Sequence, residues 1–190
     1  MEENAHLSSH NFYLAGSNEK AMRYSVMAGG ESARLYANDE AITHYTRAIE
    51  MAVDGGASNE QLIALFTAQG RAQELSGQQD EALTGYRELE GLGRKAQDAA
   101  LEMAALVPMV TIHSTFSGRP DTVKARTLSE RSLVLARRLG DHTAEAKTLW
   151  NSLLIEILAG DDYYKALEFG ERALEVARQY DLKEQIAFTL

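Results

Sequence analysis

A short phrase of small and large side chains recurs four times along this chain. An alanine comes first, then Tyr, Tyr, Ser or Gly four positions later, then Ala, Leu, Ser or Ala after three more. The leading residues are Ala41, Ala82, Ala125 and Ala166, which gives steps of 41, 43 and 41 residues. A fixed step of this size is typical of stacked helical hairpins rather than of one globular core. Because such arrays offer extended surfaces, we expect the function to be binding.

Apolar residues recur at helical spacing over most of the sequence, which contains only two prolines, so the pattern predicts an all-α protein. Glycine followed by Asn, Ser or Asp marks most junctions, as expected where one helix ends and the next begins. Pro108 is expected to kink or break its helix, and Gly29-Gly30 to weaken another in the same way. The predicted helices cover approximately residues 4–15, 18–36, 38–54, 58–76, 78–95, 97–116, 121–139, 143–159, 163–179 and 182–190.

Composition excludes several functional classes. Nineteen Lys and Arg against 28 Asp and Glu leave a formal net charge of -9, which opposes direct binding to nucleic acid or to anionic lipid. The basic pairs Arg94-Lys95 and Arg137-Arg138 fall near predicted helix C-termini, where cations complement the helix dipole. With no cysteine, thiol catalysis and thiolate zinc sites are excluded. No apolar run approaches the ~20 residues of a membrane-spanning helix, and no signal peptide is visible, so we expect a cytoplasmic protein without a membrane partner.

The histidines suggest no site for chemistry. His6 and His10 lie one helical turn apart, but two histidines without a further ligand at a defined spacing do not favour a metal site. His44 and His113 stand apart from any serine or acid at an interpretable spacing. We therefore predict no catalytic, cofactor-binding or metal-binding residue and a non-enzymatic protein. The alternative, an enzyme with a pocket inside a superhelix, would be supported by an activity that is lost when His113 or Arg71 is replaced.

Each recurring phrase is expected to form one buried stripe, because residues at i, i+4 and i+7 share a helix face. Small side chains let two helices approach closely, and large ones fill the space one turn away. The phrase that begins at Ala125 is the weakest of the four, since Ser129 and Ser132 stand where the others have larger or apolar residues.

The segment from Met103 to His113 is more apolar than one helix face can bury. Two interpretations are open. The segment either lines an apolar groove, in which its methionines would provide an adaptable binding surface, or forms a central helix that is covered on several sides.

These phrases and the residues before them resemble the tetratricopeptide (TPR) repeat, whose first helix carries W-x2-L-G-x2-Y and whose second carries A-x3-F. The last repeat matches at Trp150, Leu153 and Ile157, with Leu154 in place of the usual glycine, and the second full repeat matches at Phe66, Gly70 and Gly77. A step of 41 to 43 residues exceeds the usual 34 of this family, so the resemblance is to the long-repeat, MalT-like subclass. HEAT repeats share the step but would not explain the phrases.

Residues 10–21 and 33–48 resemble the start of the C-terminal TPR region of bacterial STAND-type signalling ATPases and regulators. The resemblance implies one domain over residues 1–190, a fragment of a longer protein, folded as a right-handed superhelical solenoid of about five antiparallel hairpins. It further implies a protein-interaction scaffold that acts as a sensor or partner-docking arm. Its partner would be a protein or peptide segment, or another domain of the same polypeptide. The alternative is a stand-alone TPR adaptor or peptide-sensing receptor, and the oligomeric state is left open.

In TPR arrays, ligands generally bind in the concave groove lined by the first helix of each hairpin. The resemblance places Thr67, Arg71 and Glu74 on this face in the second full repeat, and Asn151 with Ile155 in the last. Arg71 is favoured for a carboxylate or polar peptide contact, because guanidinium offers a planar fork of donors. The alternative is a solvated charge that pairs with a neighbouring Glu. Thr67 stands where the co-chaperone type has lysine, which disfavours a receptor for chaperone tails.

Overall fold

The computed structural model describes residues 18–115, 121–160 and 162–189. Within these ranges the protein consists of helices and contains no strand, so the all-α prediction is confirmed there. Each described helix lies within two residues of its predicted span, whereas the predicted helix at 4–15, with His6 and His10, falls outside the described residues. The helices are α1 (Asn18–Arg34), α2 (Asn38–Gly55), α3 (Asn59–Leu75), α4 (Gln79–Ala96), α5 (Ala99–Ser114), α6 (Thr122–Leu139), α7 (His142–Ala159), α8 (Tyr163–Gln179) and α9 (Lys183–Thr189).

The chain divides into two compact units, Met1–Leu89 and Glu90–Leu190, and the boundary falls within α4. In the first unit α1 packs on α2 and α2 packs on α3. In the second unit α5 contacts both α6 and α7, α6 packs on α7, and α7 packs on α8. The short helix α9 packs mainly on α8. Neighbours along the sequence are therefore neighbours in space within each unit, as a helical-repeat fold requires.

The helix junctions follow the predicted chemistry in most places. Ser58 begins α3 with a capping box, in which its hydroxyl accepts from the backbone N–H of Gln61 and the Gln61 side chain accepts from the Ser58 N–H. Aspartate side chains cap the starts of four later helices: Asp98, Asp121, Asp141 and Asp162. Four junction glycines have positive φ: Gly56, Gly77, Gly140 and Gly160. The junctions at Gly16 and Gly118 lie outside the described residues.

The recurring phrase forms the buried stripe of α2, α4, α6 and α8, as predicted. Its aromatic members lie over glycines of the preceding helix. A β-carbon built on Gly29 would lie 2.9 Å from Tyr45 Cε1, and one built on Gly70 would lie 2.6 Å from Tyr86 Cε1. Gly29 does not interrupt α1, which is continuous, and the expected weakening of this helix stays a prediction. The missing side chain lets the Tyr45 ring pack directly on the α1 backbone.

Helix α5 runs without interruption through Pro108, so of the two expected alternatives a break is not found and a kink stays a prediction. Packing on α6 and α7 buries α5 on several sides and offsets the backbone hydrogen bond that proline removes. Met103 and Met109 are 8% and 2% exposed, respectively, so the interpretation as a covered central helix is confirmed. The buried residues of α5 are Leu101, Met103, Ala105, Leu106, Met109, Val110, Ile112 and Ser114.

Candidate functional site

Arg71 lies on the solvent-facing side of α3, and its side chain is 66% exposed. Its Nη1 atom is 3.2 Å from Oε2 of Glu74, whose side chain is 17% exposed. Thr67, one turn earlier, is partly buried and donates its hydroxyl to the backbone carbonyl of Ile63 at 2.6 Å. The pairing of Arg71 with a neighbouring Glu, predicted as the alternative, is therefore confirmed. A partner-binding role for Thr67, Arg71 and Glu74 stays a prediction.

A buried tyrosine holds Glu74 from its other side. The Tyr86 hydroxyl donates to Glu74 Oε1 at 2.8 Å, and Tyr86 is only 2% exposed. Burial, reinforced by the Glu74 charge and this hydrogen bond, raises the pKa of Tyr86 well above its usual range, so the hydroxyl stays protonated and keeps donating. Glu74 thus links the interior to the surface, where its carboxylate contacts the exposed Arg71 guanidinium. Sequence reasoning missed Tyr86, because its recurring phrase indicated only packing.

The two predicted groove residues of the last repeat are in the interior. Asn151 and Ile155 are 0% and 1% exposed. The Asn151 side chain donates from Nδ2 to Thr111 Oγ1 at 2.9 Å, and its Oδ1 accepts from Ser114 Oγ at 3.3 Å. The expectation of an open face at these two positions is corrected by the packing of α5 against α7. Contact of either residue with a partner stays a prediction.

A line of polar pairs runs between α6 and α7, and we call it the polar seam. The paired residues follow each other every three positions on α6 and every four on α7, so all of them face the same interface. The pairs are Ser132 with Thr148 at 3.0 Å, Ser129 with Ser152 at 2.6 Å, and Arg126 with Glu156 at 2.8 Å.

The polar seam explains the weakest of the four phrases. Ser129 and Ser132 replace larger or apolar residues of the other repeats because each meets a hydroxyl on α7. A buried hydroxyl is stable in an interior only when it is hydrogen-bonded. The serines of α6 and the hydroxyl residues of α7 therefore depend on each other. The available sequence signal was the spacing of Thr148, Ser152 and Glu156 by four, which places the three polar residues on one face of their helix.

At one end of the polar seam the Glu156 carboxylate is buried, with a side-chain exposure of 3%. Arg126 binds it through two nitrogens, Nε at 3.2 Å from Oε1 and Nη2 at 2.8 Å from Oε2. Lys165 of α8 places its Nζ 3.2 Å from the same Oε1 and 5.8 Å from the centre of the Phe169 ring. A buried carboxylate is costly unless it is paired and hydrogen-bonded, and here two cations from different helices meet that condition.

A pocket of about 40 Å³ lies beside this charge cluster. A volume of that kind admits about three water-sized groups. Its wall combines paired hydroxyls, an aromatic ring, cations and the buried carboxylate, so it could hold a small polar group with a short apolar portion. The lining residues are Arg126, Ser129, Glu130, Ser152, Ile155, Glu156, Lys165 and Phe169.

A second cluster lies where α6 ends and α7 begins. Arg137 Nε is 2.7 Å from Glu145 Oε1, and the His142 ring stacks on Tyr180 with 3.5 Å between centroids. Arg137 is one of the basic residues predicted near helix C-termini, and it occupies the last turn of α6 as expected. Among the residues that the structure describes, no group of three His, Cys, Asp or Glu side chains is placed to hold a metal ion.

The sequential packing of helices on their neighbours fits a helical-repeat fold. No protein-family model matches the chain, and no curated protein matches it either. Across the described ranges, none of the helices has the length and the apolar character needed to cross a membrane.

Proposed function

We propose that this chain is a TPR-like scaffold of the long-repeat, MalT-like kind, folded as a right-handed superhelix. It binds a protein or peptide segment, or another domain of its own polypeptide, and acts in the cytoplasm as the sensor or docking arm of a bacterial signalling protein. The repeat steps of 41 to 43 residues and the buried Ala-x3-Tyr stripes support the scaffold part of this proposal. The binding part rests on the surface of α3.

One observation carries the binding proposal: an exposed cation contacts a carboxylate that a buried hydroxyl fixes. The side chain of an exposed arginine ordinarily loses conformational entropy when it contacts a partner. At Arg71 part of that cost is already met, because Glu74 binds the guanidinium and the buried Tyr86 hydroxyl fixes Glu74. A pre-oriented guanidinium is suited to a carboxylate or a backbone carbonyl of a bound segment.

The test is a quantitative pulldown from the native cytoplasm with Arg71→Glu beside the matched charge reversal Arg87→Glu. Arg87 is exposed on α4 of the same unit, so both variants carry the same change in net charge. We expect Arg71→Glu to lower recovery of a specific partner by about fivefold or more, the effect of losing an interface contact worth more than about 1 kcal/mol. Arg87→Glu should leave the recovery unchanged.

Equal recovery with both variants would contradict binding through this face of α3. If no partner is recovered, the same two variants are placed in the full-length polypeptide and amide hydrogen exchange of α3 is measured. Docking within the polypeptide predicts faster exchange in α3 with Arg71→Glu and not with Arg87→Glu. Unchanged exchange in both would reject this form of the proposal as well. Circular dichroism confirms that both variants keep their helices.

A further inference from the structure

The wall of the pocket beside the polar seam already includes an ammonium group, which belongs to the protein itself. Lys165 Nζ lies 3.2 Å from Glu156 Oε1 and 5.8 Å from the centre of the Phe169 ring. A carboxylate beside an aromatic face is a combination that recognises ammonium, through a charge-assisted hydrogen bond and through attraction to the ring quadrupole. The position of Lys165 therefore shows that Glu156 and Phe169 can bind an ammonium group together.

The three charged groups of this cluster are held with unequal strength. Glu156 is buried and cannot leave, and Arg126 binds it through two nitrogens with a side chain that is 32% exposed. Lys165 makes one contact to the carboxylate, and its side chain is 48% exposed. An ion pair exposed to this degree contributes little, and a lysine stem is flexible. Lys165 is therefore the member that a competing group can displace.

We propose that Glu156 and Phe169 form a recognition subsite for a primary alkylammonium group, and that Lys165 occupies it as an internal competitor. The free space of about 40 Å³ beside Lys165 suits the short alkyl portion of a ligand whose ammonium takes the place of the Lys165 ammonium on Glu156. The net charge of -9 favours the approach of cations to this protein. The ammonium comes either from a free amine or from a lysine side chain of a bound polypeptide. This subsite uses none of the α3 residues, so it goes beyond the proposed function.

The proposal predicts that the affinity for an ammonium ligand depends on the residue at position 165 and decreases from Ala to Lys to Arg. The apparent Kd for an ammonium ligand rises with the fraction of molecules in which the internal competitor fills the subsite. Lys165→Ala removes the competitor and should bind ethylammonium with an apparent Kd about fivefold lower than the natural protein, as expected when a partly exposed ion pair is lost. Lys165→Arg keeps a cation that can bind Glu156 with two nitrogens, so it should bind more weakly than the natural protein.

Isothermal titration of the full chain with ethylammonium chloride measures these affinities, with sodium chloride at equal ionic strength as the blank. Position 165 is exposed, so both variants are expected to fold, and thermal unfolding verifies this. Nα-acetyl-lysine amide is the second probe. Tighter binding of this probe than of ethylammonium to Lys165→Ala identifies a polypeptide lysine as the source, and the reverse identifies a free amine.

Three results would overturn the subsite. The first is equal affinity among the Ala, Lys and Arg forms, and the second is heat no greater than that of sodium chloride. The third is binding of sodium acetate in preference to ethylammonium, which would assign an anion to the cations of the pocket. Because every variant lies at position 165 and no protein partner is needed, failure here is distinguishable from failure of the Arg71 experiment.

Discussion

The same position of the repeat is occupied differently in the two units of this protein. Four residues after the leading alanine, the first unit has Tyr45 and Tyr86, whereas the second has Ser129 and Gly170. Each tyrosine fills space over a glycine of the preceding helix. Ser129 instead bonds to Ser152 of the following helix, and Gly170 leaves room for Leu153. The repeat therefore specifies where helices touch and leaves open the kind of interaction that is made there.

The two kinds of interaction respond differently to change. Apolar packing is non-directional and depends on volume, so its cost is set by overfilling or by cavities. The polar seam depends on partners, because a buried polar group that loses its partner bears a desolvation penalty. The first unit should therefore respond most to changes in side-chain volume, and the second unit to the loss of a hydrogen-bond or ion-pair partner.

Removing the cation at the end of the polar seam should have the largest effect. Arg126→Met leaves the buried Glu156 with Lys165 alone, and loss of one member of a buried ion pair costs about 3 kcal/mol. The free energy of unfolding is measured by urea denaturation followed by circular dichroism. Arg137→Met, on the same helix, is the matched control. Its partner Glu145 is more exposed than Glu156, so the expected loss is below about 1 kcal/mol.

Equal losses in the Arg126 and Arg137 variants would mean that Glu156 is solvated in solution. The second unit would then not depend on a buried ion pair at this position.

The volume-dependent contact of the first unit is tested with Gly70→Ala. The new methyl group would overlap the ring of Tyr86, and overpacking of a tight contact costs about 2 kcal/mol, more than the helix propensity that alanine adds. Gly30→Ala is the control, because its β-carbon would lie 3.9 Å from the Tyr45 hydroxyl, an ordinary contact distance. That variant should gain up to about 1 kcal/mol of unfolding free energy. Stabilisation by both alanines would show that the tyrosine ring moves away readily.

The smallest expected effect belongs to a single hydroxyl pair of the polar seam. Ser132→Ala and Thr148→Val should each cost about 1 kcal/mol, because each leaves a fully buried hydroxyl without its partner across the helix interface. The double variant removes both hydroxyls, so its cost should fall below the sum of the single costs by about 1 kcal/mol. Thermal and urea unfolding of the four proteins give this coupling energy. Additive losses would indicate that the two hydroxyls are satisfied independently.

Sequence patterns located the helices well, because the signals for helix positions are local. The apolar spacing gave the described helices to within two residues, even at the ends of α1, α4 and α8, where no glycine marks the end. The residues that turn the chain there with positive φ are Tyr36, Gln97 and Asp181. That the helices continue through Pro108 and Gly29 could not be foreseen from local signals, because both positions depend on long-range packing, against α6 and α7 in one case and against Tyr45 in the other.

The candidate site was predicted only in part. The pairing of Arg71 with Glu74 could be foreseen, because both lie on one helix three residues apart. The support from Tyr86 and the partners of Glu156 could not, because they come from other helices and their contacts depend on how those helices pack. Asn151 was expected on an open face because a position within a repeat does not reveal which neighbouring helix covers it.

The contact between Leu153 and Gly170 has a consequence for recombining such repeats. In this hairpin the glycine lies on the second helix, with Leu153 Cδ1 2.6 Å from the place of a β-carbon, whereas in the two hairpins with tyrosine it lies on the first. Joining α7 to the second helix of another hairpin would force Leu153 against a tyrosine, and the reverse exchange would bring two glycines together around a void. A chimera of this protein should therefore keep the two helices of a hairpin together as one complementary pair, and should also not be cut between α6 and α7, where the polar seam joins two hairpins.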